Sequence, residues 1–159
     1  MAHSEEEQLD QEWGELLEEV RVVLPGTEVL FAFLLGLPFT SPFAELRDLD
    51  KRVYTVAFLT AGIATVLLIA PSAQHRLLWR QRRKDQQLRI ATRFTIAGTA
   101  CLAVTISSVI FLVMDMLYTN AISALAAAAA VGMIIAGWYV LPLAVRLRRK
   151  AAASSSYDP

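Results

Sequence analysis

The residues of this 159-residue chain with the most chemistry are acids and bases set inside or beside apolar runs. In EVRVVLPGTEVLFAFLLGLPF, residues 19–39, Glu28 lies in a stretch long enough to enter a bilayer, with Arg21 one turn before Pro25 and Gly26. Arg93 and Asp115 flank a later apolar run. A carboxylate in hydrocarbon is costly, so it must be neutralised, paired or turned to water. Burial favours the protonated acid and a nearby cation favours the ionised one, a balance suited to carrying a proton or coordinating a cation. Two readings follow. In one, Glu28 is a working intramembrane acid, with Arg21 or Arg93 as partner and Asp115 as a second station. In the other, Pro25 and Gly26 break the chain, Thr27 caps a new helix, and Glu28 occupies its first turn, where the helix dipole favours negative charge. A span starting near Val22 puts Glu28 roughly 9 Å along the helix axis, inside the inner leaflet.

Other reactive side chains are sparse. Cys101 is the single cysteine and lies in an apolar run, which excludes an intrachain disulfide and a thiolate cluster and fits a small packed side chain. His75 opens a basic stretch with no second ligand beside it, and His3 lies in an acidic terminus. The middle of the chain offers hydroxyls, among them Thr60, Thr65, Thr95, Thr99, Thr105, Ser107 and Ser108, which commonly bond to the preceding helical turn. No zinc-binding H-E-x-x-H, phosphate-cradling glycine loop or nucleophile elbow occurs, so neither an enzyme nor a cofactor is expected. The mixed charges of TSPFAELRDLDKR read as a solvated turn.

These residues must be positioned by apolar segments. Hydrophobic residues make up 55% of the chain and charged ones 19%, and the apolar residues come in blocks, which marks a membrane protein. Approximate spans are 22–43, 53–70, 94–114 and 121–145, each near the roughly 17–25 residues a crossing helix needs. In lipid each segment must satisfy its own backbone hydrogen bonds, and the alternating strands of a barrel are missing, so the fold class is all-α: a four-transmembrane-helix bundle occupying 22–145. Pro71 reads as the end of the second span, and Pro142 as a kink or stop in the fourth.

The net charge of zero conceals an asymmetry. Acids crowd the first twenty positions, where Leu9, Trp13, Leu16, Leu17, Val20 and Leu24 recur at helical spacing, so residues 1–24 are expected to form a separate acidic amphipathic cytoplasmic helix. The acidic start argues against a cleaved export signal. Basic residues gather in the 71–93 loop, as Arg76, Arg80, Arg82, Arg83, Lys84 and Arg89, and again in the 146–159 tail. By the positive-inside rule this loop and both termini face the cytoplasm. The basic cluster suits anionic lipid headgroups or the acidic helix, in the same chain or another, and no nucleic acid is expected.

Small residues mark candidate packing faces. Ala124, Ala128, Gly132 and Ala136 recur every four residues, as do Ala97, Cys101 and Thr105, and Ala32 pairs with Gly36. Such stripes let helices approach closely, within one chain or in a homo-oligomer.

The stretches LLEEVRVVLPGTEVLFAFLLGLPF and LLIAPSAQHRLLWR resemble a family of small bacterial four-helix membrane proteins, common in actinobacteria and uncharacterised in function. The resemblance covers most of residues 15–145. It implies a multi-pass inner-membrane protein and supplies no substrate or catalytic residue. Two functions are weighed: a structural or interaction protein with a membrane or cytoplasmic protein partner, acting through its acidic helix and basic loop, and a small proton- or cation-conducting protein using Glu28.

Overall fold

The computed structural model describes residues 2–78, 84–118 and 120–140. In order these form α1 (Ala2–Gly36), a 3-10 turn (Leu37–Phe39), the single-turn α2 (Ser41–Ala44), α3 (Asp48–Leu78), α4 (Lys84–Leu117), α5 (Asn120–Ile135) and a π-helical segment (Ala136–Val140). α1, α3, α4 and α5 carry four stretches long and apolar enough to cross a membrane: Gln8–Phe39, Asp48–Gln74, Gln86–Leu117 and Ala121–Trp138. Residues 80, 82 and 83 of the basic loop, residues 141–145 of the expected fourth span with Pro142, and the 146–159 tail lie outside the described residues.

The chain divides into two compact units, residues 1–108 and 109–159. In the first, the buried positions of α1 are Trp13, Val20, Thr27 and Leu34, one every seven residues. On α3 they are Ala57, Ala61, Ala64, Leu68 and Pro71, and on α4 Leu88, Ala91, Thr95, Gly98, Leu102 and Thr105, alternating three and four apart. A period of 3.5 residues keeps one seam facing its neighbours only if the helices coil gently left-handed around one another.

This seam corrects the expectation of a separate amphipathic helix over residues 1–24. α1 is one helix of 35 residues, about 52 Å long, and Pro25 lies inside it. An interior proline costs about 3 kcal/mol by removing one hydrogen bond and crowding the preceding turn. Burying a Trp or Val side chain from water gains about 1.5–3 kcal/mol apiece, so Trp13 and Val20, seated in register with Thr27 and Leu34, offset that cost. Thr27 is accordingly no N-cap: it is fully buried, and its hydroxyl donates to the Val23 carbonyl at 3.2 Å. Pro71 likewise does not end its helix. It fills a fully buried seam position, and α3 continues to Leu78.

The seam also decides which small residues pack. Four residues turn an α-helix through about 400°, so a stripe spaced by fours drifts away from a left-handed contact. Ala32, Gly36 and Ala97 are exposed, while Gly98 is buried in close approach to α3. A Cβ added there would stand 2.9 Å from Leu68 Cγ and 3.3 Å from Leu67 Cβ. The second unit holds the last turns of α4, α5 and the π-helical segment, with Leu112 and Ser123 buried.

Large apolar side chains cover the outward faces, including Val29 and Phe33 on α1, Val66 on α3, Ile96 on α4 and Leu125 and Met133 on α5, all more than half exposed. Water-soluble chains rarely expose apolar surface on this scale. The four helices suggest a multi-pass membrane protein. At 31–35 residues, α1, α3 and α4 are about 46–52 Å long and outreach a hydrocarbon core of about 30 Å.

The two glycines of the first unit's contacts give opposite expectations. Gly98→Ala should destabilise the protein by about 1–3 kcal/mol, because the methyl overpacks against Leu68. Gly62→Ala, whose Cβ would meet the Phe31 ring at an ordinary 3.5 Å, should be neutral or slightly stabilising. Reversible unfolding of both variants in mixed micelles measures the difference; equal stabilities would mean the α3–α4 approach is not as close as described.

Candidate functional site

Glu28 follows Thr27 on α1 and so turns about 100° away from the seam, onto an exposed face. Its depth is set by its neighbours. The Phe31 ring lies against Gly62, which is close to the middle of the Asp48–Gln74 stretch of α3. Phe31 also stacks on Phe58, with ring centroids 5.2 Å apart. Glu28 is three residues from Phe31, about 4.5 Å along the axis. With a half-thickness of about 15 Å, the backbone of Glu28 is roughly 10 Å inside the nearer edge of the hydrocarbon. Because α1 starts at Ala2, Glu28 is in no first turn, and the helix dipole gives it no support.

The expected cationic partners do not reach it. Arg21 and Arg93 are exposed, and among the described residues Glu28 forms no hydrogen bond or ion pair. A charged side chain at the centre of a spanning helix costs about 2.5–3.5 kcal/mol on insertion scales. Asp115, the other candidate station, belongs to the second unit and is half-buried.

The hydroxyls are committed to their own helices. Thr65 donates to Ala61 O at 2.9 Å, Thr95 to Ala91 O at 3.2 Å and Ser107 to Ala103 O at 2.8 Å. Thr60 and Thr105 also clasp α3 to α4, their oxygens 2.8 Å apart: one hydroxyl donates to the other, which donates in turn to its own helix, Thr60 having Val56 O at 2.8 Å and Thr105 having Cys101 O at 3.0 Å. These groups tie helices together and satisfy donors that hydrocarbon would leave unpaired.

A buried acid lies at the start of α3, within the stretch expected to be a solvated turn. Asp50 is 4% exposed and accepts two hydrogen bonds from Arg47, from Nε to Oδ2 at 2.9 Å and from Nη2 to Oδ1 at 3.2 Å. Both belong to LRDLDKR; the signal was an arginine three residues before an acid in the first turn of a helix, where the acid also gains from the dipole. Nearby, the Tyr54 hydroxyl donates to the Leu34 carbonyl at 2.9 Å. Residue 38, four beyond Leu34, is proline and has no N–H to give, so Tyr54 supplies the missing donor. Tyr54 is held edge-on by Phe43, with centroids 4.8 Å apart, and stacks on Phe58 at 6.0 Å.

At the opposite end of the first unit, Trp13 packs with Leu88 and Ala91 of α4, and Leu9, Leu16 and Leu17 lie against them. Asp10, Glu12, Glu15, Glu18 and Glu19 are exposed around this stripe. Of the expected basic surface, Arg76 and Lys84 lie on described helical backbone and Arg89 is exposed beside Leu88, whereas Arg80, Arg82 and Arg83 fall outside the described residues. Ala124, Ala128, Gly132 and Ala136 are all exposed; on α5 it is Ser123 that is buried. An open apolar groove of about 350 Å³ runs along α1 and α3, lined by Phe31, Phe58, Gly62 and Val66 among others.

Comparison with protein families matches residues 2–142 to a family of unknown function, DUF6328. The chain belongs to this family. The match takes in all four long apolar helices of the DUF6328 chain. No curated protein and no solved structure matches it.

Tyr54→Phe tests the polar contact that closes α1. It keeps the ring contacts and strands the Leu34 carbonyl, so a loss of about 1–3 kcal/mol in unfolding free energy is expected. Amide-I infrared spectroscopy with a ¹³C=¹⁸O label at Leu34 should show that carbonyl losing its hydrogen bond; an unshifted band would remove the assignment.

Proposed function

We propose that this DUF6328 protein is a structural or interaction protein of the bacterial plasma membrane, with both termini in the cytoplasm. The observation that carries the reading is the single helix α1, which joins an acidic segment to a membrane-crossing stretch without a break. Trp13 and Val20 turn inward while Asp10, Glu12, Glu15, Glu18 and Glu19 stay exposed. Held by Leu88 and Ala91, the segment becomes a braced acidic rod projecting beyond the bilayer. Its charge repels anionic headgroups, so it suits a basic protein surface, while Arg76, Arg89 and the loop arginines suit the headgroups themselves. The distribution of Lys and Arg supports the cytoplasmic assignment of this end. No catalytic role is proposed.

A second reading, conduction of a proton or cation through Glu28, draws support from the depth of that carboxyl group in the span. It is the weaker reading because Glu28 is turned away from the seam and the seam hydroxyls bond their own helices.

Purified protein reconstituted in liposomes, with ion-driven pH changes followed for the wild type and Glu28→Gln, separates the two. No flux from correctly inserted protein is the expected result. Robust wild-type flux would remove the structural reading, and flux lost in Glu28→Gln would establish a titrating role.

A further inference from the structure

We infer that two copies of this chain associate in the membrane through the outward face of α1, with the Glu28 carboxyl groups meeting at the centre of the contact. This names the partner within the interaction reading above and rests on it.

The inference begins with Glu28, which is exposed on the protein surface yet level with the middle third of the α3 span. Arg21 and Arg93 do not pair with it, and the helix carries it through hydrocarbon with no helix end nearby. An ionisable group at such depth needs a polar partner, and lipid tails offer none. A protonated carboxyl group carries one donor and open acceptor sites. A second neutral carboxyl is its complement: each O–H donates to the other's carbonyl oxygen, and no proton leaves either group.

Symmetry brings such a pair together. Copies inserted in one orientation and related by a two-fold axis along the membrane normal present the same residue at the same depth. A residue on the contacting face therefore meets itself. The strip around Glu28 permits the approach. Pro25 and Ala32 flank it on α1 and are exposed, Arg21 and Leu35 lie in line with it two turns to either side, and a Cβ added at Gly36, at the edge of this face, would meet nothing within 4 Å. Small side chains on either side of a polar residue let two backbones come close enough for short side chains to bond.

The test uses the full-length protein with donor and acceptor fluorophores at the C-terminus, in phosphatidylethanolamine–phosphatidylglycerol vesicles, with energy transfer followed as lipid dilutes the protein. The expected result is a saturable isotherm above random proximity. Glu28→Gln retains it, because an amide pair also donates and accepts. Glu28→Leu weakens association roughly three- to fifteen-fold, the scale of an interhelical hydrogen bond in a membrane. Ala32→Phe weakens it by bulk alone, and Ala128→Phe on α5 leaves it unchanged. Transfer no higher than random, association indifferent to Glu28→Leu or to Ala32→Phe, or loss confined to Ala128→Phe would each overturn the inference. Failure here without ion flux leaves the interaction reading with other partners, whereas flux removes that reading whatever the oligomeric state.

Discussion

A seam repeating every 3.5 residues is the constraint on which the rest of the first unit depends. Trp13, Val20, Thr27 and Leu34 hold α1 in one register, and the alternation from Ala57 to Pro71 and from Leu88 to Thr105 answers it on α3 and α4. Inside a bilayer, greasy surface gains little by leaving lipid, so close packing and interhelical hydrogen bonds must hold the contact. That explains the alanines of α3 and the glycine at position 98, where only hydrogen leaves room for Leu68. At the polar end, Trp13 against Leu88 and Ala91 adds burial from water, so the same seam is held by different forces along its length.

Polar groups follow a complementary logic. At three places in the first unit a named partner stands by: Tyr54 for the Leu34 carbonyl ahead of Pro38, Arg47 for Asp50, and the Thr60–Thr105 clasp between α3 and α4. Against this background Glu28 is distinct, since among the described residues it has no equivalent partner. The contrast turns an acid in a greasy stretch into a question about what lies outside the chain.

The continuity of α1 links the membrane and aqueous parts mechanically. A flexible joint at Pro25 and Gly26 would let the acidic segment move independently of the span. A single helix instead couples any force on the acidic face to the helices of the first unit that pack against it. The DUF6328 family match extends from this segment through the fourth apolar helix, so the acidic segment and the four apolar helices belong to one family unit.

Four apolar stretches, their helical nature and the clustering of acid and base were legible in the sequence, because lipid forces each crossing segment to satisfy its own backbone and hydropathy reports that directly. The inward stripe from Leu9 to Val20 was legible too, through its helical spacing. What only the tertiary structure decided was whether Pro25 and Pro71 end helices, which small residues pack, and which acids are buried. A proline's local cost is fixed, but packing on both sides of it can exceed that cost, and no local signal reports the packing. Which small residues pack inside the first unit is set by the 3.5-residue period that neighbouring helices impose, which selected Gly98 over Ala97. Asp50 and Glu28 are the same kind of residue in the chain, and their surroundings made one a paired charge at a helix start and the other a lone carboxyl at mid-depth.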